Sequence, residues 1–122
     1  MPEIVYKVCP AADWFEANGK GYFYGSPDDV RDGYIHLSTV QQLAGTLRRH
    51  FSNADGIGLP DLVLVALPVE QLGESLKWEP ARGGQLFPHL YGALETRLAS
   101  AVVPLEVASD GVHILPGDID RC

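Results

Sequence analysis

The apolar positions change period along the chain, and each change marks an element. Residues 4–8 (IVYKV) are a short β-branched and aromatic run, which predicts a strand. Pro10 then opens a helical stretch with Trp14 and Phe15 as its apolar residues and Asn18-Gly19 as its stop. The aromatic run over residues 21–25 predicts a short strand. Ser26-Pro27-Asp28 starts a helical turn, with serine placed to cap and proline suited to the first helical position. Asp32-Gly33 is a turn signal. Residues 34–38 alternate: Ile35 and Leu37 point one way, Tyr34, His36 and Ser38 the other. Two overlapping capping boxes follow, Ser38 with Gln41 and Thr39 with Gln42. They introduce a helix to about Phe51, with Val40, Leu43, Leu47 and Phe51 at helical spacing.

In the second half, residues 62–67 lie between Pro60 and Pro68 and are apolar throughout, as in a central strand buried on both faces. Residues 69–72 predict a helical turn stopped by Gly73, residues 76–79 a strand, residues 82–84 a loop and residues 89–91 a short strand. Residues 94–98 predict a turn or short helix. Residues 101–107 and 113–115 predict closing strands around the Asp110-Gly111 turn. The order lacks regular strand–helix alternation, which argues against a doubly wound parallel fold. It predicts a single α+β domain with a mixed or split, mostly antiparallel sheet and two main helices. Its core covers about residues 4–107, with a tail over residues 116–122.

Composition agrees: 122 residues, 46% apolar and 20% charged, suit one globular domain. Nine basic against sixteen acidic residues leave a net charge of −7. That balance opposes broad, sequence-independent nucleic-acid binding, which needs lysine and arginine to displace counterions. It still permits a small anionic ligand held by one or two local cations. Of the two cysteines, Cys9 reads as a core thiol and Cys122 as a frayed terminal one. The N-terminal residues show no basic segment leading into a long apolar stretch, and no apolar run is long enough to span a bilayer. A cytoplasmic location without membrane attachment is therefore expected.

Candidate chemistry gathers in two segments, residues 33–39 and 78–92. In the first, His36 ends a strand beside a helix start, where free backbone N–H groups favour anions and hydroxyl-rich ligands. Ser38 and Thr39 either cap that helix or bond a ligand. In the second, Pro80 holds Glu79 extended at a strand end, a position for a base or a hydroxyl acceptor. Arg82 with Gly83 and Gly84 has the makings of a small anion site, unless Glu79 and Arg82 simply pair across a tight turn. His89 and Tyr91 flank Leu90, so in an extended segment they share a face able to stack on a flat ring. His50 and His113 read as helix-end and strand-surface residues.

The strings Asp32-Gly33-Tyr34-Ile35-His36-Leu37-Ser38-Thr39, Trp78-Glu79-Pro80 through Arg82-Gly83-Gly84, and Leu86-Phe87-Pro88-His89-Leu90-Tyr91-Gly92 resemble the small bacterial family called domain of unknown function 952. The start at residues 4–8 and the Gly25-Ser26-Pro27 turn match as well. That family is grouped with the ADP-ribosyltransferase-like proteins, so the resemblance implies their split-sheet fold and a cleft taking NAD as substrate, with no metal. It implies His36 at the ribose, Tyr91 or Tyr34 at the nicotinamide ring, and Glu79 as the acid, with Glu95 or Glu106 as alternatives. In that scheme Arg82 and Gly83 meet a phosphate, and Tyr34, Ser38, Thr39, His89 and Tyr91 complete the binding surface. Two other classes stay open: an enzyme using two histidines and a carboxylate on a metal, and an interaction module without chemistry whose protein partner is unknown.

Overall fold

The computed structural model describes residues 2–117. Nine strands and four α-helices follow in the order β1 (Ile4–Pro10), α1 (Ala11–Lys20), β2 (Tyr22–Phe23), α2 (Pro27–Asp32), β3 (Ile35–His36), α3 (Leu43–His50), β4 (Leu62–Pro68), α4 (Val69–Leu72), β5 (Leu76–Pro80), β6 (Leu86–Leu90), β7 (Leu94–Glu95), β8 (Ala101–Val107) and β9 (His113–Ile114), among the described residues. The result is a single α+β domain whose strand pairs are all antiparallel, with α1 and α3 the two longest helices.

A four-stranded sheet in the order β1-β4-β8-β9 and a three-stranded sheet in the order β3-β6-β5 form the frame, with β2 and β7 paired apart. β4 lies between β1 and β8 and is buried on both faces, as its unbroken apolar run predicts. Val63, Val65 and Leu67 point into a core shared with Trp14 of α1, Phe23, Ile35 and Leu90. Leu62, Leu64 and Ala66 point the other way, onto Leu43 and Leu47 of α3. Alternation along one strand thus divides the interior into two layers.

Among the described residues the backbones of the two sheets pair at one place. Tyr6 and Ser38 exchange backbone hydrogen bonds, Tyr6 N to Ser38 O at 2.8 Å and Ser38 N to Tyr6 O at 2.9 Å. Elsewhere β1 and β3 are not paired, so the frame is a sheet that splits on one side of this bridge.

Several local expectations are corrected. α1 runs past Asn18-Gly19 and stops at Gly21, whose left-handed φ of 89° lets its N–H reach Ala17 O. The strand expected over residues 21–25 is only Tyr22–Phe23, and its partner is Leu94–Glu95, where a turn or helix was expected. A single 3-10 turn at Thr96–Leu98 follows. The predicted helix to Phe51 begins as a 3-10 turn at Val40–Gln42 and becomes α-helical at Leu43. Of the two capping boxes, only that of Thr39 has its glutamine contact, the Thr39 N–H donating to Gln42 Oε1 at 3.0 Å. Ser38 does not cap; its hydroxyl bonds the Thr46 hydroxyl at 2.8 Å. The strand expected at residues 89–91 is β6, which starts earlier and ends before Tyr91. His113 is buried rather than on the strand surface: it fills the space over Gly58 and donates from Nε2 to Leu59 O at 2.8 Å. Cys9 is a buried free thiol that burial pushes up to about 12. Cys122 and most of the 116–122 tail lie outside the described residues.

Candidate functional site

The split in the sheet creates a backbone problem that the site solves. Leu37 N donates across to Pro88 O of β6 at 3.1 Å, so by alternation the N–H and C=O of His36 face the gap toward β1. Buried backbone groups need partners. Here they are side chains. Asp29 Oδ1 accepts the His36 N–H at 3.0 Å, and Lys7 Nζ donates to His36 O at 3.2 Å.

Asp29 reaches the gap because α2 starts with a capping box. Asp29 N donates to Ser26 Oγ at 3.3 Å, and Ser26 N donates to Asp29 Oδ2 at 2.8 Å. The same Oδ2 receives Lys7 Nζ at 2.8 Å, and Oδ1 faces His36 Nδ1 at 2.6 Å. Burial pushes this carboxyl up, but the bond from His36 and the charge and bond of Lys7 outweigh it and hold Asp29 well below the usual carboxylate range. An ionised Asp29 only accepts, so Nδ1 of His36 carries a proton. The other nitrogen, Nε2, lies 2.9 Å from Asp32 Oδ2. Arg31 grips Asp32 through both oxygens, at 3.0 and 3.3 Å, and that bond lowers the Asp32 carboxyl.

A second histidine stands opposite. His89 of β6 pairs in register with His36, and their rings meet edge to face with centroids 5.7 Å apart. Tyr34 stacks on His89 at 4.0 Å and 26°, and Tyr91 tilts against Tyr34 at 5.4 Å. His89 Nδ1 contacts Glu79 Oε1 at 2.8 Å, and Tyr91 OH donates to the same oxygen at 2.7 Å. Those two bonds, that of His89 first, lower the Glu79 carboxyl. Glu79 is diagonal to His89 on the β5–β6 pair, the geometry in which long side chains meet across an antiparallel ladder.

Between the sheets, α2 and α3 lies a cavity of about 250 Å³. Tyr34, His36, Ser38, Arg82 and His89, all expected from the sequence, line it. Glu79, Thr39, Gly83 and Tyr91 do not. Glu79 and Tyr91 sit behind His89, Thr39 is buried at the start of the 3-10 turn, and Gly83 is exposed with a left-handed φ of 67°. The alternative acids are also elsewhere: Glu95 pairs with Arg97 at 3.2 Å, and Glu106 faces solvent on β8.

Arg82 makes no ion pair with Glu79. Its guanidinium lies 5.0 Å from the Phe87 ring and against Gly45 of α3, without a carboxylate partner among the described residues. Desolvation, with Arg49 and Arg48 nearby, lowers its pKa. His50, at the end of α3, also lines the cavity and is lowered by burial and by Arg82. One wall therefore carries Arg82 and His50 without an ion-pair partner among the described residues, and the other carries Asp28, Asp29 and Asp32 paired with Arg31, Lys7 and His36. Among the described residues, no group of three or more His, Cys, Asp or Glu side chains is disposed to hold a metal ion. No helix among them is long and apolar enough to cross a membrane.

The model of the family described as "Protein of unknown function (DUF952)" matches residues 8–103. The chain belongs to the DUF952 family. The match takes in every cavity-lining residue named so far except Tyr6 and Lys7. The crystal structure of protein CC0527 from Caulobacter crescentus shares this DUF952 fold at 40% identity, covering 98% of this chain and 99% of that one with a TM-score of 0.86. Its solution structure matches at 38% identity over 98% and 97% of the two chains, with a TM-score of 0.77. No curated protein matches the chain.

Sequence reasoning missed Lys7, Asp29, Asp32, Thr46 and His50, all of which line the cavity. The Ser26-to-Asp29 spacing was the one visible signal, since Asp at the third helical position completes a capping box. Lys7 carried none: it is a single cation inside an apolar strand.

Proposed function

We propose that the cavity binds a nucleotide of the NAD type, as an ADP-ribosyltransferase-like protein would. The observation that supports this is an arginine without a carboxylate partner and an aromatic face lining one cavity. Phosphate suits Arg82, whose planar fork of donors is free to meet it, with Arg48 and Arg49 extending the positive field. A flat cationic ring suits Tyr34, which is electron-rich and backed by His89. A volume of about 250 Å³ takes a ring and its ribose, and the remainder of a dinucleotide runs over the mouth toward the end of α3.

His36 takes the ribose side of the cavity through Asp32. The Asp32 carboxylate has about four acceptor sites, of which three meet Arg31 and His36, so one is left for a ligand hydroxyl. Ser38 and Thr39 keep the His36 strand in place rather than meet the ligand.

A titration of NAD and ADP-ribose against wild type, Arg82→Ala and Asp32→Ala tests this. Each variant loses one hydrogen bond to a charged group, about 1.5–3 kcal/mol, so affinity falls roughly ten- to hundredfold. Arg82→Ala also flattens the salt dependence of binding, whereas Asp32→Ala leaves it steep. Wild type that binds neither ligand overturns the proposal and leaves the interaction module as the better reading.

A further inference from the structure

We infer that His89 is the acid–base residue of this cavity and that Glu79 is its positioning residue; this rests on the nucleotide reading above. Glu79 Oε1 lies 2.8 Å from His89 Nδ1 and receives the Tyr91 hydroxyl at 2.7 Å. An ionised carboxylate has no proton to give, so Nδ1 of the imidazole carries the hydrogen. The neutral ring then presents the lone pair of Nε2. That nitrogen bonds nothing among the described residues, and since no fully buried side-chain nitrogen or oxygen there lacks a partner, Nε2 keeps a small exposed area on a ring that is otherwise buried. His89 lines the cavity, and Tyr34 at 4.0 Å fixes the plane of its ring. A histidine held in one tautomer by a carboxylate, with its other nitrogen facing a ligand, has the equipment of a general base.

His36 is held differently. Its Nδ1 is held the same way by Asp29, but Asp32 stands 2.9 Å from its Nε2. Of the three histidines that line the cavity, His36 has a carboxylate at both nitrogens and His50, exposed at the end of α3, has none at either among the described residues, so His89 alone of the three joins a carboxylate on one nitrogen to a vacant second nitrogen.

In an NAD-type reaction the step is as follows. A water oxygen attacks the anomeric carbon and forms a C–O bond. The glycosidic C–N bond breaks, and its electron pair neutralises the nicotinamide ring nitrogen. Nε2 of His89 takes the proton released by the water and returns it to solvent, so NAD and water become ADP-ribose, nicotinamide and one proton.

The first test is free of ligand. Long-range nitrogen–proton NMR of the wild type at a pH where His89 is neutral reads its tautomer. The expected result is hydrogen on Nδ1, with the two tautomers mixing in Glu79→Ala; hydrogen on Nε2 in wild type overturns the inference. The second test follows NAD binding and nicotinamide release together. His89→Gln, and His89→Phe as a variant that keeps the stack on Tyr34, should bind NAD within about threefold of wild type and release nicotinamide about a hundredfold more slowly. Glu79→Gln should lose roughly tenfold in kcat with KM unchanged. Full-rate release by either His89 variant, or wild type that binds NAD and never releases nicotinamide, overturns the inference and leaves the nucleotide reading standing. Wild type that binds no NAD instead overturns that reading and the glycosidic step with it, and the tautomer alone then decides the assignment of His89.

Discussion

Among single residues, Asp29 carries the most. It caps α2, neutralises the buried Lys7, orients His36 and closes the backbone of the split sheet. Asp29→Asn keeps the size but leaves Lys7 charged and poorly paired in the interior, so it should cost about 3–5 kcal/mol of stability in urea unfolding. The pH dependence has a definite sign. Because the folded pKa of Asp29 is depressed, its stabilisation is fully present above its ordinary value of about 3.9 and is lost as pH falls below that. The gap between wild type and Asp29→Asn should therefore be constant near neutrality and narrow below about pH 4. His36, Arg82 and His89 were legible in the sequence because polar side chains stood out among glycines and prolines. Asp29 and Lys7 were not, because their importance comes from a partner 22 residues away. Glu79 stands out in the sequence as a candidate acid but not as the partner of a histidine, since that depends on the β5–β6 register.

At the scale of elements, β4, α3 and the short strands β3 and β9 are legible in their patterns, β2 is shorter than the aromatic run that predicts it, and β7 carries no strand signal. β4 announced itself by an apolar run between prolines, and α3 by its 3.6-residue spacing. β2 and β7 have no periodicity to read: each is a strand only because the other lies beside it. The start of α2 is the local feature with the tightest tolerance. Gly25 has φ of 112°, and a Cβ there would lie 2.6 Å from Asp29 Cβ. Gly25→Ala combines a strained backbone with a clash against the capping residue, and should destabilise by about 1–3 kcal/mol, near the upper end. A thermal melt measures that loss, and an unchanged midpoint would show that α2 can shift without disturbing Asp29.

For the molecule as a whole, the pieces of the cavity come from β1, α2, β3, α3 and the β5–β6 turn, so it exists only when both sheets are in place. Among the described residues the backbones of the two sheets pair at one bridge, two hydrogen bonds between Tyr6 and Ser38, whereas β1 and β4 are paired along seven consecutive residues. That inequality makes the bridge a seam. Opening a seam of two bonds is far less costly than unfolding the strands beside it. The amides of Tyr6 and Ser38 should therefore exchange with deuterium well ahead of those in β4, by a motion that leaves the core closed; equal protection would mean that the two sheets open only together. A seam beside the cavity gives its mouth a way to breathe. A ligand that touches both lips, Tyr6 and Lys7 on one and His36 on the other, would slow that exchange as it binds, like a clasp closed across a fold in cloth.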